Sequence, residues 1–362
     1  MFTKKIPPLI VLAVFALSAC GGGGGTNASS ASATMPSSPS GPSASTASSL
    51  QTSVANPTYA ASSAQLTAFS QLNAYRLQMG VGELEQDTTL DTAAQAHATY
   101  LNANFSTGAL TALTHDEVAT LLNYYDDTPL DRAQKAGAPV TEWIGESIGD
   151  STQATATAAG SDCVTELLDT VYHMEAMTDT EQIIGIGFAP ISAQVGFNVC
   201  NFVFGSTSGV SGTPQANAIP VTGGQQMATT AIVTVPLSGE TGVALSMVAE
   251  SPNPVPSITS PGRPLMVRVN AASAGDVLTV SSFTLTDAKG NAVPGEIMIP
   301  AGAAAGSTSS AVTDPNGIVG QGVAFFIPSQ PLVADTVYTA AFTGARDGSS
   351  ISKSWTFTTV AN

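Results

Sequence analysis

Cations are scarce in this chain: 10 lysines and arginines stand against 26 aspartates and glutamates in 362 residues, a formal net charge of −16. So few cations cannot neutralise a phosphate backbone, and no nucleic-acid partner is expected. Adsorption to anionic headgroups through a basic patch is excluded for the same reason. Histidine and cysteine are equally sparse, with three of each and none beyond residue 200. Several hydrolase patterns are missing: there is no His-Glu-x-x-His helix, no Gly-x-Ser-x-Gly elbow and no free thiol paired with a histidine. No apolar run approaches the about 20 residues that cross a bilayer.

What is present begins with an export signal. Lys4 and Lys5 form a short positive start, and Leu9 to Leu17 an apolar run of signal-peptide length. Leu17-Ser18-Ala19-Cys20 then resembles the lipobox of bacterial lipoproteins. A thiol is needed there as the nucleophile that accepts the diacylglyceryl group, and small residues before it admit the signal peptidase. Cleavage before Cys20 removes both lysines and takes the formal charge from −16 to −18. Several acyl chains give stable anchoring, so the membrane is an expected partner through Cys20. Gly21 follows the cysteine, the outer-membrane sorting pattern if the cell is Gram-negative.

Composition then divides the chain. Residues 20–60 are mostly Gly, Ser, Ala, Thr and Pro, too poor in apolar groups to offset ordering entropy, and read as a disordered tether. About 40 such residues reach roughly 35 Å. Helical periodicity starts near Ala61, with Leu66, Phe69, Leu72 and Tyr75 on one stripe that ends at Gly80. A second helix is predicted from Thr88 to about Asn104, a third over Cys163 to Met177, and strands between Ile183 and Phe204. Residues 209–229 read as a linker, and 230–362 as short strands separated by Gly, Pro, Asn and Asp clusters. The expected class is α+β: a layered α-β-α domain over 61–208 followed by an all-β sandwich.

Several segments of the first domain resemble one family. Asn73-Ala74-Tyr75-Arg76, Ala93-Ala94-Gln95-Ala96-His97, Leu113-Thr114-His115, Thr128-Pro129-Leu130-Asp131-Arg132-Ala133, Gly145-Glu146-Ser147-Ile148, Val171-Tyr172-His173 and Ile184-Gly185-Ile186-Gly187-Phe188 occur in the order found in the CAP superfamily of cysteine-rich secretory, antigen 5 and pathogenesis-related 1 proteins. The bacterial secreted branch is the most similar, although Ser147 stands where the family carries Asn. The resemblance implies a cavity built on two histidines and acidic residues, in some members a divalent-metal site. Carried over by position, it selects His115, Glu146 and His173, a nitrogen and oxygen set suited to Zn²⁺ with open positions for water. The family's further acid has no clear match; Asp126 and Glu117 are the nearby candidates. Purely structural hydrogen bonding by His115, His173 and Glu146 is the competing reading, and His97, on an apolar helix face, reads as core.

Cys163 and Cys200 remain once Cys20 is lipidated, and an exported pair in one domain reads as a disulfide. The last 130 or so residues resemble bacterial immunoglobulin-like surface domains in Phe283-Thr284-Leu285, Val337-Tyr338-Thr339 and Ser354-Trp355-Thr356-Phe357. No acid-base pair or metal cluster is legible there. The functional expectation is a lipid-anchored extracytoplasmic protein whose first domain presents a cleft to a lipid or other small molecule, or to a surface partner. A metal-dependent envelope hydrolase using Glu146 as base and a purely adhesive protein are the alternatives.

Overall fold

The computed structural model describes residues 50–218 and 226–361, apart from 272 and 274. Cys20 and the export signal lie outside the described residues. The first half comprises α1 (Ala64–Met79), β1 (Glu85–Gln86), α2 (Thr88–Ser106), α3 (Pro129–Ala136), β2 (Trp143–Ser151), α4 (Ala156–Leu168), α5 (Tyr172–Met177), β3 (Ile183–Ala189) and β4 (Asn198–Ser206). Local chemistry sets the helix ends. The Ser63 hydroxyl accepts from the Leu66 N–H to start α1, and Gly80 closes it at φ +93°. Thr128 and Asp131 form a reciprocal capping box around Pro129 at the start of α3.

Four strands form one sheet in the order β1-β3-β4-β2, with only the β1–β3 pair parallel. Alternation along the strands sorts its two faces. Ile184, Ile186, Cys200, Phe202 and Phe204 join Phe69, Leu72 and Val164 of α1 and α4, whereas Ile144 and Val203 join Leu90 and Ala133 of α2 and α3. The Gly185-Ile186-Gly187 spacing places both glycines under α2, where a Cβ on either would overlap the helix backbone at Leu90 or Ala94. An α-β-α arrangement results. The disulfide Cys163–Cys200 ties α4 to β4, with both residues buried.

The helix expected over Cys163 to Met177 is two helices. α4 begins earlier, capped by Thr155, and the chain breaks at Asp169–Val171 before α5. The break has a tertiary cause. Asp169 is ion-paired with Arg263, and the N–H groups of Val171 and Tyr172 donate to Glu250, both partners coming from the second half of the chain. Periodicity does not reveal α3, because eight residues with three buried positions give too short a pattern to register.

The second half is all β: β5 (Ile232–Val235), β6 (Leu265–Val269), β7 (Leu278–Asp287), β8 (Gly295–Ile299), β9 (Ala311–Thr313), β10 (Val323–Pro328), β11 (Val337–Arg346) and β12 (Ser349–Thr358). They form a five-stranded sheet, β5-β6-β10-β8-β9, and a three-stranded sheet, β12-β11-β7. Leu265, Val267, Ala324 and Phe326 of the larger sheet meet Phe283, Phe342, Trp355 and Phe357 of the smaller one in a shared core.

The larger sheet is covered on its other face as well. Met266, Phe325 and Ile327 belong to the same core cluster as Phe69, Leu72, Met174 and Met177. Every residue of β6 and β10 is therefore buried, which is why β10 reads as a continuous apolar run and β6 departs from one only at Arg268. The segments on either side of the first half also lie against it. Gln51 donates to the Glu83 and Gln182 carbonyls, and the Tyr59 hydroxyl donates to Asp91 at 2.5 Å. Beyond β4, the Ala218 N–H donates to the Ile144 carbonyl along the free edge of β2, and Gln226 donates to the Glu83 and Glu181 carbonyls.

Candidate functional site

A cavity of about 590 Å³ opens at the seam between the two halves. His115, Glu146 and His173 all line it, so the three positions selected from the sequence share one space. Their chemistry is arranged as two imidazole–carboxylate pairs. His115 Nδ1 lies 3.0 Å from Glu146 Oε1, and His173 Nδ1 lies 3.1 Å from Glu250 Oε2.

Glu146 projects from β2, an edge strand, toward the α2 and α3 side. Arg132 Nη2 of α3 donates to both its oxygens at 2.9 Å, and Asn201 Nδ2 of β4 donates to Oε2 at 2.9 Å. His97 Nε2 stands 3.9 Å from Oε1. Burial by itself pushes the Glu146 carboxyl up, but the neighbouring His97 and Arg132 and the hydrogen bond from His115 hold it well below the usual carboxylate range. The group is a fixed anion, unsuited to collecting a proton near neutral pH.

Glu250 has no local mark in the sequence, lying between Ala249 and Ser251 in a proline-rich stretch. In space it answers three consecutive residues. Oε1 accepts from the Val171 N–H at 2.6 Å, Oε2 from the Tyr172 N–H at 3.1 Å, and Oε2 also faces the His173 ring. The carboxylate that partners His173 thus comes from the second half of the chain. Asp126 and Glu117 take other roles. Asp126 sits near Lys135 and Tyr124, while Glu117 is buried against His97 Nδ1 at 2.8 Å and the Tyr125 N–H at 2.6 Å. His97 is fully buried, its Nε2 2.9 Å from the Thr114 carbonyl, as its place on an apolar helix face led one to expect.

Arg132 is the other residue the site depends on and sequence reasoning passed over. Its signal was its position in the Thr128-to-Ala133 motif, where an almost cation-free chain keeps an arginine on a helix that packs inward. Asn217 also contributes, its side-chain oxygen accepting the Glu146 N–H at 2.9 Å.

The metal expectation can be tested on these donors. Both Glu146 oxygens are occupied by Arg132, Asn201 and His115, and among the described residues no group of three His, Cys, Asp or Glu side chains gathers to hold a metal ion. Glu146 is therefore placed behind an imidazole and not beside one as a third ligand. What fits a metal is narrower. Each ring turns Nδ1 to a carboxylate and leaves Nε2 without a hydrogen-bond partner among the described residues, the orientation that supporting carboxylates impose on metal-binding histidines.

Residues 69–202 match the family model CAP, the cysteine-rich secretory protein family, which supports a CAP superfamily domain over that part of the chain. No curated protein is similar enough to the chain to count as a relative.

Proposed function

We propose that the chain is a lipid-anchored extracytoplasmic binding protein whose ligand site is the seam cavity between its CAP-type domain and an immunoglobulin-like β-sandwich. The observation that carries this reading is the 590 Å³ cavity with His115, Glu146, His173 and Glu250 on its wall. That volume is in the range of small-molecule sites, and convergent polar groups on an otherwise partly apolar lining are their usual form. Glu146 lacks the raised pKa of a general base, and this favours binding over hydrolysis.

A second reading concerns metal. The two free Nε2 atoms are the donors that would hold Zn²⁺, which would supply a positive centre for an anionic or carbonyl group of the ligand. One experiment serves both readings. In native mass spectrometry of the mature protein recovered from membranes, the expected result is a stoichiometric small-molecule adduct, lost in Ala271→Trp, which fills the cavity wall. A zinc mass lost in His115→Ala with His173→Ala would support the metal. Masses without any adduct in all three proteins would contradict both.

The anchor rests on the lipobox-like sequence at Cys20. Among the described residues no helix is long and apolar enough to cross a membrane. Cys20→Ser is expected to move the protein out of the detergent phase, as a soluble extracytoplasmic form or uncleaved precursor. Unchanged detergent-phase partitioning would rule the lipid anchor out. In a Gram-negative cell, Gly21 after the cysteine points to the outer membrane.

A further inference from the structure

In a chain with 26 acidic side chains, one end of the first domain is nearly free of charge. Two segments meet there, at the C-terminal end of α2. Residues 105–123 carry only Asp116 and Glu117, and Glu117 is buried against His97. Residues 190–197, which connect β3 to β4, carry no charge at all. They lie against the same helix end, where Phe197 packs edge-on to Phe105 with ring centroids 5.1 Å apart. Val118, Leu122 and Ile191 stand 51 %, 54 % and 38 % exposed on these segments. Large apolar side chains gathered at one uncharged end of a domain mark a contact surface.

The interior of the domain holds that display in place. The Val118 N–H donates to the Tyr100 hydroxyl at 2.9 Å. The Leu122 N–H donates to Asn104 Oδ1 at 3.1 Å, and Asn104 Nδ2 donates back to the Leu122 carbonyl at 2.9 Å. Tyr100 and Asn104 are both buried on α2. Between the two clamps the Leu121 N–H donates to the Val118 carbonyl at 2.9 Å, and the Leu121 side chain packs inward with Phe105 and Phe197. One leucine is therefore fixed inward and its neighbour outward. Val118 and Leu122 are presented on a backbone already ordered, so docking through them costs little further entropy.

Resting on the reading of Cys20 as a lipid anchor, we propose that this end of the domain docks on the membrane. Val118, Leu122 and Ile191 enter the apolar edge of a zwitterionic phospholipid surface. The absence of cations from both segments, with Asp116 exposed beside the turn, sets anionic headgroups aside. Chain length fits the same surface. The described residues begin at Leu50, and the adjoining Gln51 is held by the Glu83 and Gln182 carbonyls, near the start of α2. The 19 residues of α2 separate that point from the docking turn by about 28 Å. A Gly- and Ser-rich tether of the length from Cys20 to Leu50 reaches roughly 30 Å, enough to bring the anchor level with the turn. Docking that is weak alone then suffices, because the anchor keeps the domain concentrated over the bilayer. His115 lies three residues from Val118, within about 10 Å along the chain, so the docked turn carries one edge of the seam cavity toward the headgroups.

The test is spin labelling of the full mature protein reconstituted in phosphatidylcholine vesicles. Val118→Cys and Leu122→Cys each carry a nitroxide, and Val333→Cys, 66 % exposed on the β-sandwich, is the control. Power saturation compares access of oxygen, which concentrates in lipid, with access of a nickel chelate, which stays in water. The labels at 118 and 122 are expected about 5–10 Å inside the headgroup boundary, and the label at 333 in water. Adding Leu122→Asp to the protein labelled at 118 should return that label to water while the protein still floats with the vesicles. Water-like access at 118 and 122 in a floating protein would overturn the docking and leave the anchor standing. Shielding of both labels from both reagents would also overturn it, the patch then being covered by protein. A protein that does not float with the vesicles would contradict anchor and docking together.

Discussion

Arg132→Met is expected to destabilise the protein by about 3–5 kcal/mol, because it leaves the Glu146 carboxylate buried with its main counter-charge gone. Both members of this pair are almost fully buried, and one nitrogen serves both carboxylate oxygens. Asn201 and His115 remain, but neither carries a permanent charge. Lysine at 132 should recover only part of the loss, since a single ammonium cannot serve both Glu146 and the Asp127 carbonyl that Arg132 Nη1 reaches. Adding Glu146→Gln to Arg132→Met removes the stranded charge and should restore stability relative to Arg132→Met alone. The pH dependence follows from the depressed carboxyl. In the wild type the contribution of Glu146 is present above its unfolded pKa and is lost as pH falls through the acid range. In Arg132→Met the carboxyl protonates more readily, so the gap between the two proteins should narrow below about pH 5. Urea unfolding at pH 7 and pH 4.5 measures this; a loss under about 1 kcal/mol at pH 7 would mean the pair is solvated and the cavity wall loosely held.

Removing the Cys163–Cys200 link is the second large effect expected. The bond closes a separation of 37 residues between α4 and β4, and loop closure of that length is worth about 3–4 kcal/mol. For a protein of this size that corresponds to a melting temperature about 5 °C lower. Cys163→Ala with Cys200→Ala is the cleaner comparison, because reduction alone leaves two buried thiols that can close again. Both positions lie in the core between α4 and the sheet, so the double variant also loses a little packing. Calorimetric melting of both proteins gives the answer, and melting temperatures within about 2 °C would show that the link adds little to native stability.

The parts of the fold legible in the sequence are those set by neighbouring residues. α1 ends at Gly80 because only a left-handed residue closes it there, and the apolar stripe of Phe69 and Leu72 stops with it. The alternation of glycine and isoleucine in β3 records a sheet with a helix pressed on one face. The likeness to CAP domains is carried by short motifs in the right order, and the disulfide by two cysteines that share one domain.

What escaped was set by distant contacts. The break between α4 and α5 depends on Glu250, 79 residues beyond Val171, and on Arg263, further still along the chain. Glu250 itself could not be found from spacing, because its partners are three backbone N–H groups and a histidine ring with no sequence relation to it. The seam had one readable trace. The run Val323-Ala324-Phe325-Phe326-Ile327 is apolar at every position, whereas a sandwich strand with one wet face would alternate. That run called for a second cover on the sheet, and the first half of the chain supplies it through Met174, Met177 and Leu72.

The central claim is that the two halves build one site between them, and differential scanning calorimetry of the intact mature protein tests it most directly. A common core that includes Phe69, Met174, Met266 and Phe325 predicts a single cooperative transition whose calorimetric and van't Hoff enthalpies agree. Substituting Glu250 by Ala, which frees the N–H groups of Val171 and Tyr172, should lower that transition as a whole without splitting it. Two separate transitions in the wild type, with only one of them moved by Glu250→Ala, would contradict the account, because a cavity walled by independently melting halves is not a preformed site.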